Sequence, residues 1–180
     1  MPATPIAPAE RTKNIKYAVR DVLALADEAK ARGLDLLHLN IGDPNIYGFS
    51  PPAAVAEAAI RAIHDNLNGY APSDGTTAAL SAIREDAEAR GVKAIQHIAI
   101  TSGCSEAIEI ALSALVNPGD RVLVPAPGYP LYTAILAKLD AIAVPYHLDE
   151  SNDWQPDLDE ITTLLSTPAK ALVPVSYTHL

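Results

Sequence analysis

Residues 98–107 read Ile98-Ala99-Ile100-Thr101-Ser102-Gly103-Cys104-Ser105-Glu106-Ala107, and the fold turns on this stretch. An apolar run passes through small polar residues into an apolar-periodic segment, which predicts a strand over 97–101 and a helix over 105–116. The first backbone N–H groups of a helix lack intrahelical partners, and the helix dipole favours an anion beside them. The turn at Gly103 therefore reads either as a phosphate cradle or as a purely structural strand-to-helix connection. It is not a dinucleotide fingerprint, because G-x-G-x-x-G needs glycines and only Gly103 is present. A Walker P-loop is excluded too, since Gly-Lys-Ser/Thr occurs nowhere. Cys104 reads as a small turn residue or as a nucleophile.

Downstream, the short Val/Ile/Ala/Leu runs at 121–125, 141–146 and 170–173 predict strands. Helical patterns at 130–139 and 158–165 alternate with them. This rhythm implies an α/β layer architecture with a largely parallel central sheet buried on both faces between helices. Asn117-Pro118-Gly119-Asp120 is a turn, and Asp157 with Glu160 resembles a capping box opening the last helix. Val124-Pro125-Ala126-Pro127-Gly128-Tyr129-Pro130 follows a predicted strand at its carboxyl end, where open α/β sheets place their ligands. Rigid prolines flank a single aromatic there. Tyr129 reads equally as a packing residue and as a platform for a flat heteroaromatic ring.

Upstream, Ile15, Val19, Val22, Leu23, Ala26 and Ala29 recur at helical spacing and Gly33 supplies a stop. Residues 34–39 predict a short strand, ended by the turn formers Asn40-Ile41-Gly42-Asp43-Pro44. Ser50 before Pro51 and Pro52 predicts an N-cap for a helix whose face carries Val55, Ala59, Ala62 and Ile63. A further helix spans about 76–90 and stops at Gly91.

Composition sets outer limits. The 180 residues are 49% hydrophobic and 19% charged, enough for one core, and the net charge is −9. That charge argues against nucleic-acid or anionic-membrane partners, because no Lys/Arg cluster exists to neutralise phosphates. One cysteine rules out an intramolecular disulfide framework and a multi-cysteine metal site. His38, His64, His97 and His147 lack metal-ligand spacing, so no metal site is expected. The acidic positions Asp149, Glu150, Asp153, Asp157, Asp159 and Glu160 read as a solvated loop and helix start. Residues 1–20 carry three prolines and mixed charge without an apolar core, which predicts neither signal peptide nor membrane anchor and a cytoplasmic location.

The motifs acquire more meaning in combination. Gly42-Asp43-Pro44, then Gly69-Tyr70 with Gly75, then Ser102-Gly103-Cys104-Ser105-Glu106, then Pro125-Ala126-Pro127-Gly128-Tyr129-Pro130 occur in an order and at separations that resemble the class I/II pyridoxal-phosphate-dependent aminotransferases of fold type I. The alanine aminotransferase branch is the most similar, through Tyr17-Ala18-Val19-Arg20, Leu39-Asn40-Ile41-Gly42-Asp43-Pro44 and the Asp-Glu-Ser-Asn-Asp-Trp run at 149–154. The resemblance spans about residues 15–173. It implies pyridoxal 5'-phosphate as cofactor, amino acid and 2-oxo acid as substrates, and a homodimer with shared active sites. By the same resemblance, Gly103, Cys104 and Ser105 hold the cofactor phosphate through backbone N–H groups and the Ser105 hydroxyl. Tyr129 stacks on the pyridine ring, Gly42 approaches the substrate carboxylate, and Tyr70 reaches the phosphate in the partner subunit. Tyr17 and Arg20 line the substrate entrance. The domain plan it implies is an arm over 1–14, the N-terminal part of a small domain over 15–47, and the N-terminal part of the cofactor-binding large domain over 48–173.

The resemblance also predicts absences. The family's Schiff-base lysine, its carboxylate-binding arginine and the acid on the pyridine nitrogen lie beyond the strand near Lys170, so no catalytic residue is assigned in this chain. Lys13, Lys16, Lys30, Lys93, Lys138 and Lys170 match no motif position. These 180 residues are accordingly expected to be an inactive N-terminal fragment. Residues 174–180, Pro174-Val175-Ser176-Tyr177-Thr178-His179-Leu180, depart from the family pattern and read as a translated sequencing-adapter remnant. An intact tail followed by more coding sequence in the source DNA would overturn that reading. Two rival functions stand beside transamination: a carbon-sulfur lyase on the same scaffold, and a non-enzymatic aminotransferase-like sensor domain.

Overall fold

The computed structural model describes residues 7–16, 18–39 and 42–174, and the chain divides into two compact units. One unit joins residues 1–36 to 104–180, and the other comprises residues 37–103. Tyr17 and the tail from Val175 onward lie outside the described residues.

The first unit opens with a 3-10 turn, Glu10–Asn14, and helix α1, Ala18–Ala31. Among the described side chains of α1, Leu23, Ala26 and Ala29 are half-buried, three residues apart as the periodicity predicts, whereas Val22 of the same predicted face is exposed. Gly33 (φ +80°) ends it: Gly33 N–H donates to Lys30 O and Leu34 N–H to Ala29 O, the two bonds of a Schellman motif. The rest of this unit is helix α4 (Cys104–Leu115), strand β1 (Arg121–Ala126), helix α5 (Pro130–Lys138), strand β2 (Ile142–Asp149), strand β3 (Gln155–Pro156), helix α6 (Leu158–Leu164) and strand β4 (Ala171–Leu172). The second unit holds α2 (Ala53–His64) and α3 (Thr77–Ala89).

The four strands form one sheet in the order β3-β2-β1-β4, with β1 parallel to both β2 and β4 and β2 antiparallel to β3. This is the expected α/β arrangement with a mostly parallel sheet. Strand β1 is central, and Val122, Leu123 and Val124 are at most 3% exposed. Leu112 from α4, Val116 just after it, and Ile135 and Leu136 from α5 close over Val122 and Val124 to make the core. Burial on both faces holds for β1 but not for β2, where Tyr146 is buried and Pro145 and His147 beside it are exposed. That alternation marks a strand covered on one face only. Arg121 fastens the far edge: its guanidinium donates to the carbonyls of Leu164, Thr167 and Pro168, holding the C-terminal end of α6 beside β1. A cation suits the unpaired carbonyls and negative dipole of a helix C-terminus.

Two strand expectations fail. Residues 34–39 form no strand, and Leu37 and Leu39 are 83% and 85% exposed. Residues 97–101 form none either; Ile100 N–H bonds instead to Asp74 O at 2.8 Å. A strand exists only where a neighbour completes its ladder, and the described residues supply none for either segment. The helix after Ser50 also starts later than predicted, at Ala53 with Pro52 as N-cap. Its Val55 and Ile63 are exposed, so the predicted apolar face is not buried within this unit. Helix α3 matches its prediction, with Thr76 Oγ1 accepting from Ala79 N–H and Gly91 (φ +89°) at its end. Among the described residues, no helix is long and apolar enough to cross a membrane.

Candidate active site

Helix α4 begins immediately after Gly103, whose φ of +91° is a conformation that L side chains rarely adopt. A Cβ at Gly103 would meet nothing within 4 Å, so glycine is required there by the backbone and not by crowding. The Thr101 hydroxyl donates to Gly103 O at 2.9 Å and fixes the turn. Cys104 and Ser105 occupy the first turn, both exposed. The first N–H groups of this 12-residue helix, which lack intrahelical partners, and the positive end of its dipole thus lie at two exposed residues.

Tyr129 is brought to the same end of the first unit by topology. Helix α4 leads into β1 through the tight turn at 117–120 and packs back on it, so the two run antiparallel. The 12 residues of α4 span about 18 Å and the six of β1 about 20 Å, so the start of α4 lies level with the end of β1. The chain leaves β1 through a cis Ala126–Pro127 bond, and Tyr129 stands as N-cap of α5 with Pro130 in its first turn. Gly128 has no alternative, because a Cβ there would collide with the Pro125 carbonyl oxygen. The half-buried Tyr129 ring meets Tyr132 edge to face, with centroids 6.1 Å apart and planes at 89°. Both tyrosines line a concavity of about 390 Å³, together with Lys16, Pro125, Thr133 and Pro145.

The remaining predicted positions lie in the second unit or outside the described residues, except Arg20, which lies on α1. Gly42 is exposed, and a Cβ on it would meet nothing within 4 Å, so no neighbour within the described chain demands glycine there. It leads into an ordered turn in which Asp43 Oδ1 accepts from Asn45 N–H at 3.0 Å. Tyr70 is fully exposed. Tyr17 is not among the described residues. Sequence reasoning missed Tyr132 and Lys16. The first was legible, since Tyr129 and Tyr132 are three residues apart across a helix start, a spacing that brings side chains together.

The acidic segment does structural work. Asp149 Oδ1 accepts from Ser151 N–H and Oγ–H, and Asp157 Oδ1 caps α6 through the N–H groups of Asp159 and Glu160. The expected capping box is only half formed. Glu160 does not return to Asp157; its carboxylate accepts from His147 N–H at 2.5 Å and meets His147 Nδ1 at 2.7 Å. These bonds hold the Glu160 carboxyl below the usual carboxylate range.

Comparison with known proteins identifies the family. The sequence model of the family described as aminotransferase class I and II matches residues 35–176. The chain is 38% identical over 176 residues to the glutamate-pyruvate aminotransferase AlaA of Escherichia coli, covering 96% of this chain and 43% of that protein. It is 32% identical over 174 residues to an alanine aminotransferase of Mycobacterium bovis, covering 94% and 40%. In structure it resembles an Escherichia coli aminotransferase (TM-score 0.82, 39% identity, 93% of this chain and 42% of that one). It also resembles the alanine aminotransferase of Pyrococcus furiosus (TM-score 0.85, 35% identity, 92% and 43%). The chain spans less than half the length of each of these relatives. A matching family model over most of the sequence, a shared α/β fold and relatives above 30% identity have one reading: the chain belongs to the class I and II aminotransferases, a family dependent on pyridoxal 5'-phosphate.

Proposed function

We propose that this chain is the N-terminal part of an enzyme that transfers an amino group between a small amino acid such as alanine and a 2-oxo acid such as 2-oxoglutarate. The observation that carries the reading is the placement of an anion-ready helix start and a braced aromatic ring at one end of the first unit. Their chemistry fits the cofactor: the α4 N-terminus offers donors to a phosphate, and a φ of +91° at Gly103 leaves the approach free of a side chain. When bound, the cofactor supplies an electron sink for the Cα carbanion of an amino acid. Cys104 and Ser105 hold the phosphate through their N–H groups and the Ser105 hydroxyl, beside the Gly103 turn. Tyr129, braced by Tyr132, orients the pyridine ring. Gly42 leaves room for the substrate carboxylate, and Tyr17 lines the way in.

In this reading Tyr70, which makes no use of its ring within its own unit, reaches the phosphate site of a second copy in a cytoplasmic homodimer. Residues 15–47 begin a small domain and 48–173 a large one. The lysine that moves the substrate proton and the arginine that grips its carboxylate come from sequence beyond these residues, so the 180-residue chain alone is inactive.

The test is amino-group transfer by the longer protein. Alanine with 2-oxoglutarate should give pyruvate and glutamate in equal amounts, and without the acceptor no pyruvate should form beyond one equivalent per active site. Pyruvate released from a sulfur-containing amino acid with no acceptor present, and none from alanine, would replace this reading with a lyase.

A further inference from the structure

The sequence holds two pairs in which asparagine or aspartate precedes glycine, Asn68-Gly69 and Asp74-Gly75, and the fold treats them oppositely. Asp74-Gly75 is pinned. Asp74 O accepts from Ile100 N–H at 2.8 Å, Gly75 N–H donates to Pro72 O at 2.9 Å, and the Asp74 carboxylate lies 3.5 Å from His97 Nε2. Asn68-Gly69 is held by none of these means. Both residues are exposed, beyond the end of α2 and in neither helix nor strand. Neither the Asn68 amide nor the Gly69 N–H bonds to any described residue. Gly69 has no positive φ, and a Cβ there would meet nothing within 4 Å, so no neighbour crowds its nitrogen. A glycine with this freedom can swing its backbone nitrogen onto the side-chain amide carbon of the residue before it.

We propose that Asn68-Gly69 is a self-modification site, at which the asparagine deamidates through a cyclic imide. The Gly69 nitrogen gives up its proton to hydroxide and attacks Asn68 Cγ. The N–Cγ bond forms, the Cγ–Nδ2 bond breaks, and the amide nitrogen takes up a proton and leaves as ammonia. Water then opens the ring at either carbonyl, giving an aspartyl residue or an isoaspartyl link whose backbone runs through the side chain. Nothing is oxidised or reduced, and solvent water is the only co-reactant. Asparagine is among the thermolabile residues for this reason. At Asp74-Gly75 the same ring closure is held off, because the nitrogen is bonded and a carboxylate is a poor electrophile. Either product puts a carboxylate two residues before Tyr70. The consequence for function rests on the reading above, in which Tyr70 reaches the cofactor phosphate of a second copy. A new negative charge near that phosphate, or a backbone one methylene longer, weakens the contact.

The test incubates the longer protein in warm, mildly alkaline buffer, where the backbone nitrogen loses its proton more readily, and follows it by peptide mass spectrometry. Asn68 should convert within days to aspartyl and isoaspartyl forms, while Asn45 and Asn117 stay intact and Asp74 does not isomerise. Asn68→Gln, whose longer side chain closes a ring slowly, should abolish the change and bind pyridoxal phosphate like the fresh parent. Asn68→Asp should bind it about fivefold more weakly, the size of an exposed charge interaction, and the incubated parent should fall towards that value. An Asn68 that stays intact while a synthetic peptide of residues 64–72 deamidates in the same buffer would overturn the proposal, since the fold would then shield the site. Conversion of Asn68 with cofactor affinity unchanged would uphold the modification site and overturn the placement of Tyr70 instead.

Discussion

Tyr132 braces Tyr129: the two rings stand at 89° with centroids 6.1 Å apart at the start of α5, on the wall of the concavity at the end of β1. Such a contact contributes about 0.5–1.5 kcal/mol beyond the area it buries, and it limits where the Tyr129 ring points. Tyr129→Ala in the longer protein should therefore weaken cofactor binding about tenfold, and Tyr129→Phe should change it little. Tyr132→Ala should give an intermediate loss with the ring still present. Fluorescence titration with pyridoxal phosphate checks all three, and an unchanged affinity in Tyr129→Ala would remove Tyr129 from the site.

Gly103 supports a second test, because backbone geometry and backbone donors make different predictions at neighbouring positions. Gly103→Ala forces a Cβ into a φ of +91° and should cost about 1 kcal/mol of stability while disturbing the first turn of α4. Cys104→Ala keeps its N–H and should bind the cofactor like the parent. Ser105→Ala loses one hydroxyl donor and should bind several-fold more weakly. If Cys104→Ala is the most damaging of the three, the thiol and not the backbone carries the role.

The helices and the paired strands were largely legible because their signals are local or repeated. Gly33 and Gly91 end α1 and α3 as read, and Asn117-Pro118-Gly119-Asp120 turns α4 into β1. The irregular course of residues 97–101 before Gly103 was not, since β-branched residues state a preference but only a partner strand satisfies the backbone. Glu160 shows the same limit. Its spacing from Asp157 predicted a capping box, yet His147, thirteen residues earlier, competes for the carboxylate and wins with two contacts. The motif residues Gly103, Cys104 and Ser105 could be named from the sequence, whereas Lys16 could not, because nothing in its neighbours announces that a 3-10 turn carries it to Tyr129.

Tyr146 offers a test of how the sheet edge is held. It is 2% exposed, and its hydroxyl donates to Val173 O at 2.9 Å, linking β2 to the segment after β4. Burial raises its pKa above that of an ordinary tyrosine, with Tyr132 adding to the effect. The folded state thus keeps the proton longer than the unfolded state does. The stabilisation is complete below the unfolded tyrosine pKa and is lost as pH rises through the folded one. Tyr146→Phe should cost about 1 kcal/mol at neutral pH, and its stability should fall less steeply above about pH 10 than that of the parent. Urea midpoints at pH 7 and in the alkaline range measure both effects.

Glu160 carries the opposite pH dependence. Its carboxyl is held below the usual range, first by the His147 backbone N–H and then by the His147 ring. Between the folded and unfolded values the unfolded chain binds more protons, so stability rises with pH across that interval. The contribution is present above the unfolded carboxylate pKa and disappears as pH falls through the lowered folded value. Hydrogen exchange at the His147 amide gives a local readout, since that N–H donates to Glu160 Oε2. In the parent its protection, corrected for intrinsic exchange, should drop as the solution is acidified below about pH 4.5. Glu160→Gln still offers an acceptor but no charge, so protection should be lower at pH 7 and nearly flat through the acid range. A parent amide whose protection ignores acid would show that the carboxylate does not anchor α6 to β2.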